Sequence, residues 1–219
     1  MFAGHIGAAL AIGRAERRIN LGVLVFAALL LDILLWTFVL LGWESVVIPD
    51  DFAATHQPDF IFPYSHSLLA AIALSALAGT AALLSYPRIN GLKVRAAVCV
   101  ATAVFSHWLL DALVHSPELP LAGAHSLKVG LGMWSRMPVA LVIEALITVA
   151  GLCLFLTSTP LSRARKCWVT ALACSLMAFT AVGMTVAPPP PSVVTMASSS
   201  LATIIVICLL AGWLGNRAS

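Results

Sequence analysis

The chain has 219 residues, of which 61% are hydrophobic and only 10% charged, with a mean hydropathy of +1.01. Soluble domains carry roughly a quarter of their residues charged, so this composition cannot supply a water-solvated surface, and residues 1–219 are expected to form one integral membrane domain. The net charge of +3 comes from basic residues scattered through short connectors, which excludes a nucleic-acid-binding patch and makes orientation in a bilayer the better reading of them.

The first thirteen residues are apolar but too short to cross a ~30 Å hydrocarbon core. As a helix they would reach ~20 Å. They predict either a half-length helix dipping into the membrane, with His5 near its middle, or a helix lying at the interface with His5 solvated. No cation precedes this stretch, whereas Arg14, Arg17 and Arg18 follow it. That is unlike a cleaved signal, so His5 is expected to be retained.

Six longer apolar runs follow, at 21–42, 64–85, 94–114, 137–158, 168–187 and about 192–214. Each approaches or exceeds the ~20 residues needed to span, and none alternates as a barrel strand does. The predicted fold class is therefore all-α: a polytopic membrane helix bundle of about six transmembrane helices plus a short N-terminal half-helix. Turn chemistry separates the runs, in Pro49-Asp50-Asp51, Tyr86-Pro87, Asn90-Gly91 and the four prolines 188–191.

Charge divides the connectors into two sets. Arg14, Arg17, Arg18, Arg88, Lys93, Arg95, Arg163, Arg165, Lys166 and Arg217 fall on one side, and only Lys128 and Arg136 on the other. The opposite side holds Glu44, Asp50, Asp51, Asp59 and Glu118. The positive-inside rule then predicts that both termini are cytoplasmic. The five cysteines form no CxxC pair and lie in or beside apolar runs, where buried small hydrophobes are expected and a full disulfide framework is not.

Within these runs stand the residues that composition makes costly. His107, Asp111 and His115 are spaced by four, a ~40° step on a helix, and so are expected on one face. Counting ~1.5 Å per residue from the basic side, Asp32 lies about 18 Å deep and His107 at a similar height. His66 begins the second run, and Glu144 sits about 10 Å below the far surface. Ionisable groups at such depth are rare and mark functional sites, and their meeting in one pocket is the expectation. Histidine with carboxylate suits zinc, iron or manganese. His107 and His115 would be ~12 Å apart along the helix, too far to share an ion. Either two ions lie along the stripe, or one end orients ligands or handles protons. Glu144 needs a partner and can orient a ligand histidine. His56 and His125, in loops, read as solvated.

Gly4-His5, Leu-Leu-Asp32, Tyr-Ser-His66-Ser-Leu-Leu, Ser-His107-Trp-Leu-Leu-Asp111, Val-His115-Ser-Pro-Glu-Leu-Pro, Gly-Leu-Gly-Met-Trp134 and Glu144 occur in this order over residues 1–158. In that respect the chain resembles the YdjM-type family of bacterial membrane-bound metal-dependent hydrolases. The family is held to be distantly similar to zinc-dependent phospholipase C and its nuclease relatives. The resemblance implies a phosphoester-type substrate. Two departures are visible: a single Asp32 where many members carry an acidic cluster, and Phe-Pro-Tyr-Ser before His66 where they carry Arg-Gly and a threonine. The last two runs, within 168–214, lie outside the resemblance.

Together these readings predict a bacterial inner-membrane hydrolase acting on a lipid-like or other amphiphilic ester or phosphoester that reaches the site laterally from the bilayer. One or two divalent ions are expected, zinc first, with His107, Asp111, His66 and Asp32 as ligands and His5 as a fifth. Glu144 or His115 would move protons. The rival readings are a metal-ion or proton transporter or channel using the same polar stripe, and a structural membrane protein stabilised by a metal. Against transport stand the lack of internal repeats and of charge in the basic-side half of runs two to six.

Overall fold

A computed structural model describes residues 1–215 of the protein, so Asn216 and Arg217, the latter counted above among the basic residues of one side, lie outside the described residues. The described residues form nine α-helices: α1 (Phe2–Gly13), α2 (Leu21–Ala28), α3 (Leu30–Leu41), α4 (Phe52–Thr55), α5 (Leu68–Ser85), α6 (Leu92–Val114), α7 (Met137–Ser158), α8 (Arg163–Thr185) and α9 (Val193–Gly215). Two antiparallel hairpins, β1 (Ser45–Val47) with β2 (Asp59–Ile61) and β3 (Leu119–Pro120) with β4 (Lys128–Val129), cap one end of the bundle. That end is called the hairpin face here, and the end bearing Arg14–Arg18 and the other basic connectors the basic face.

Helices α5 to α9 are each long and apolar enough to cross a membrane, and the pair α2–α3 makes a sixth span. The chain is a multi-pass membrane helix bundle. Large apolar side chains such as Leu69, Leu77, Leu84, Val98, Leu146 and Leu209 stand on its outside, a surface suited to a lipid surround.

Two features depart from the sequence reading. The first span is not one helix over 21–42. It breaks at Leu29 (φ −106°, ψ 9°) and bends by 54° between α2 and α3, although neither glycine nor proline stands there. Nor are the cysteines uniformly buried. All five are free thiols; Cys99 is buried and Cys208 half-buried, but Cys153, Cys167 and Cys174 are exposed on α7 and α8. In a bilayer an outward thiol meets hydrocarbon, so burial within protein is not required of it.

Helix α1 is the inserted half-helix of the two alternatives. It packs against α2, α6, α7 and α8, and eight of its twelve residues are buried. A helix apolar on all sides has no face to give to water, and its small residues allow close approach. At Gly7 a Cβ would come within 2.6 Å of Thr148 Cα and 2.8 Å of the Ile147 carbonyl oxygen on α7. A second such crossing joins α2 to α9, where a Cβ on Gly22 would lie 2.6 Å from the Cys208 carbonyl oxygen and 2.7 Å from Gly212 Cα. Small-residue contacts of this kind are how helices associate where no hydrophobic force acts between them.

Candidate metal centre

Helix α6 forms the spine of the site. His107 and Asp111 project from one face of it, 0% and 2% exposed. The break in the first span meets them there, because the Ala28 carbonyl accepts a hydrogen bond from His107 Nδ1 at 2.6 Å. A carbonyl cannot donate, so His107 carries its proton on Nδ1 and presents the lone pair of Nε2 to the interior.

Three further segments bring side chains to this point. Insertion of α1 stacks the His5 ring on His107, centroids 3.8 Å apart and planes 9° from parallel, with His5 Nε2 3.1 Å from Asp111 Oδ1. The turn before α5 delivers His66. Ser67 caps that helix by accepting from the Ala70 N–H, and the Trp108 indole donates to the His66 carbonyl at 3.0 Å. His66 Nε2 then lies 3.2 Å from His107 Nε2. Asp32, in the first turn of α3, places Oδ1 3.7 Å from His66 Nε2 and 3.6 Å from His107 Nε2.

Asp111 is central. Its Oδ2 stands 3.1 Å from His107 Nε2 and 3.5 Å from His66 Nε2, while Oδ1 faces His5 and the Met1 amine, 3.4 Å away. Ligand atoms ~2.0–2.1 Å from a tetrahedral zinc are ~3.3 Å apart. The three edges of the His66–His107–Asp111 triangle, at 3.2, 3.1 and 3.5 Å, have that size. A second triad, His5–Asp32–His107, shares His107 with the first. The buried His5 Nδ1 has no hydrogen-bond partner, a costly state in a bundle interior that ligation or a trapped water would relieve. Donor types, spacing and the orphaned nitrogen all fit a divalent ion.

His115 keeps its place at the end of the helix, its N–H donating to the Asp111 carbonyl at 2.9 Å. Helix α6 stops at Val114, and His115 follows with extended backbone (φ −62°, ψ 145°). Pro117 bars helical backbone at Ser116, the residue ahead of it, so α6 must end near here. His115 still turns back to the cluster, with Nε2 3.9 Å from Asp111 Oδ1 and Nδ1 2.6 Å from Glu118 Oε1. Its Cα keeps the ~12 Å separation from His107 along the helix, and His115 joins neither triad. Glu144, buried on α7, accepts the Gly4 N–H at 3.0 Å and so holds the start of α1. His125 is exposed, whereas His56 is half-buried with a left-handed backbone (φ 54°), close against Phe52.

Two carboxylates at the site escape the sequence reading. By sequence Glu118 reads only as a loop acid, though its i+3 spacing from His115 is a usable signal. Glu44 gives no such signal. It is 4% exposed and accepts from the main-chain N–H groups of Tyr64 and Ser65, both at 2.8 Å, and from Ser65 Oγ at 2.6 Å.

Asp32 is the most open member of the His66–His107–Asp111–Asp32 set, its side chain 20% exposed. Toward the basic face, a cavity of about 360 Å³ lies between α2–α3 and the end of α5, lined by Phe26, Ala27, Leu30, Ala81, Tyr86 and Val100. It is apolar, and none of the clustered histidines and carboxylates lines it. The chain matches no protein-family model, no curated protein and no solved structure with which it was compared.

Proposed function

We propose that the protein is a membrane-embedded, metal-dependent hydrolase of a lipid-like or other amphiphilic ester or phosphoester, akin to the YdjM-type proteins it resembles over residues 1–158. The observation that carries this reading is the convergence of His66 Nε2, His107 Nε2 and Asp111 Oδ2 at zinc-like edge lengths inside an apolar bundle. Asp32 and His5 complete the donor set for one ion or two, with zinc ahead of manganese or iron on ligand type. A divalent ion, if held there, would lower the pKa of a bound water and polarise a phosphoryl or carbonyl oxygen.

The chain's own residues supply the rest. His115, tied to Glu118 through Nδ1 and aimed at Asp111 through Nε2, is placed to move a proton at the edge of the cluster. Glu144 acts through α1, keeping His5 in reach. The charge of the connectors supports cytoplasmic termini, and the family resemblance supports a bacterial inner membrane.

Metal analysis tests the reading. Purified protein should hold about one or two divalent ions per chain, His107→Ala and Asp111→Ala should each lose most of that metal, and metal-dependent release of product from phospholipid vesicles should vanish with it. Full metal retention in both variants would leave only a hydrogen-bonded structural cluster.

A further inference from the structure

Glu44 and Ser65, which lie behind His66, belong neither to the ligand set nor to the proton-handling groups. Glu44 leaves α3 beyond Gly42 and turns its carboxylate inward under the β1–β2 hairpin. There Oε1 takes two main-chain N–H groups and Oε2 lies 2.6 Å from Ser65 Oγ. Ser65, 0% exposed, places the same Oγ 2.8 Å from His66 Nδ1. A carboxylate can only accept and a serine hydroxyl has one proton to give. Glu44 therefore takes the Ser65 proton, and Ser65 Oγ can only accept from His66. His66 Nδ1 must carry hydrogen, and Nε2 is left with its lone pair facing His107, Asp111 and Asp32.

We infer that Glu44 and Ser65 are positioning residues which fix the tautomer and ring orientation of His66, so that its Nε2 is always offered to the metal. The inference rests on the reading of the cluster as a metal centre. His107 gains the same tautomer from the Ala28 carbonyl. The two imidazoles are thus set by different devices, one main-chain and one a buried carboxylate acting through a hydroxyl. Partners of this kind behind a ligand histidine commonly govern metal affinity by about 10–100-fold. Nothing here makes Ser65 a nucleophile, because its proton is committed to Glu44 and its oxygen to His66.

Glu44→Gln is the discriminating variant. Its amide keeps an oxygen for the Tyr64 and Ser65 N–H groups but offers an N–H₂ to Ser65 Oγ. The hydroxyl proton then turns to His66 Nδ1, and His66 must carry hydrogen on Nε2, against the metal. In apo protein with ¹⁵N-labelled histidine, His66 should be protonated at Nδ1 in the wild type and in Ser65→Thr, and at Nε2 in Glu44→Gln. Cobalt affinity, measured by chelator competition, should fall about 10–100-fold in Glu44→Gln and Ser65→Ala and be retained in Ser65→Thr. A wild-type tautomer in Glu44→Gln, or unchanged cobalt affinity in both Glu44→Gln and Ser65→Ala, would overturn the inference. Should Glu44→Gln fail to fold, the contrast between Ser65→Ala and Ser65→Thr carries the test. A wild-type protein that takes up no cobalt would instead sink the metal reading, while the apo tautomers still decide what Glu44 and Ser65 do.

Discussion

Substitution of Gly7 by alanine tests the insertion of α1, on which the position of His5 depends. The added Cβ would lie 2.6 Å from Thr148 Cα, where ordinary contact begins at 3.4 Å, so α1 must retreat from α7 by about 0.8 Å. The obstructing atoms are backbone and cannot swing aside. Overpacking of this sort costs about 1–3 kcal/mol, and at ~2–4 °C per kcal/mol the unfolding midpoint should drop by about 2–12 °C. His5, two residues away, moves with the helix. Metal ligands hold their distances to within ~0.2 Å, so a displacement several times larger removes His5 from any shared ion. Thermal unfolding of the purified protein, with metal content on the same samples, reads both effects. Gly183→Ala on α8 is the control, because nothing stands within 4 Å of its added Cβ and alanine favours a helix by roughly 0.5–1 kcal/mol over glycine. If Gly7→Ala matched the wild type in midpoint and metal content, α1 could not be seated as described, and His5 would leave the ligand set.

On the basic face, Glu16 is held at a pKa of about 2, below its ordinary 4.5, chiefly by its hydrogen bonds from Arg18. Its contribution to stability is fully present above the unfolded pKa and lost as pH falls through about 2. Glu16→Gln should remove up to about 1 kcal/mol of stability at neutral pH and flatten this part of the acid dependence, seen in denaturation midpoints between about pH 5 and pH 2; an unchanged slope would refute the pairing. Thiol labelling separates enzyme from transporter. With the other four cysteines replaced, native Cys99, 6% exposed in the basic-side half of α6, should resist a polar reagent from both sides, whereas Ser116→Cys, exposed beside His115, should react from the hairpin face. Reaction of Cys99 from the basic face would reveal an aqueous path, and the hydrolase would give way to a transporter.

How much of this is legible in the sequence follows from where a polar group is costly. His5, Asp32, His66, His107, Asp111 and Glu144 stand out because each interrupts or borders an apolar run, and lipid-spanning segments tolerate such residues only for a reason. The bundle is legible on the same grounds, since run length and apolarity alone require helices. Glu44 and Glu118 are opaque because an acid in a loop is ordinarily solvated, and little in the local sequence distinguishes one that turns inward.

The break at Leu29 is the instructive miss, because it follows from a residue in a different helix. A histidine that offers Nε2 to a metal must give its Nδ1–H to an acceptor. At the depth of His107 the first span, Leu-Val-Phe-Ala-Ala-Leu-Leu-Leu, has no side-chain acceptor before Asp32, and Asp32 faces the cluster from the Nε2 side. What remains is a main-chain carbonyl, and in an unbroken helix that carbonyl is engaged with the N–H four residues on. The Ala28 carbonyl instead accepts from His107 at 2.6 Å, just where α2 gives way to α3. The 54° bend that accompanies the exchange turns the first residues of α3 so that Asp32, four beyond Ala28, meets the same imidazole. One hydrogen bond thus sets the tautomer of a ligand, breaks a span without glycine or proline, and brings in a second carboxylate. An intramembrane histidine lacking a side-chain acceptor at its own depth is, on this reasoning, a signal for a helix break in the span it faces.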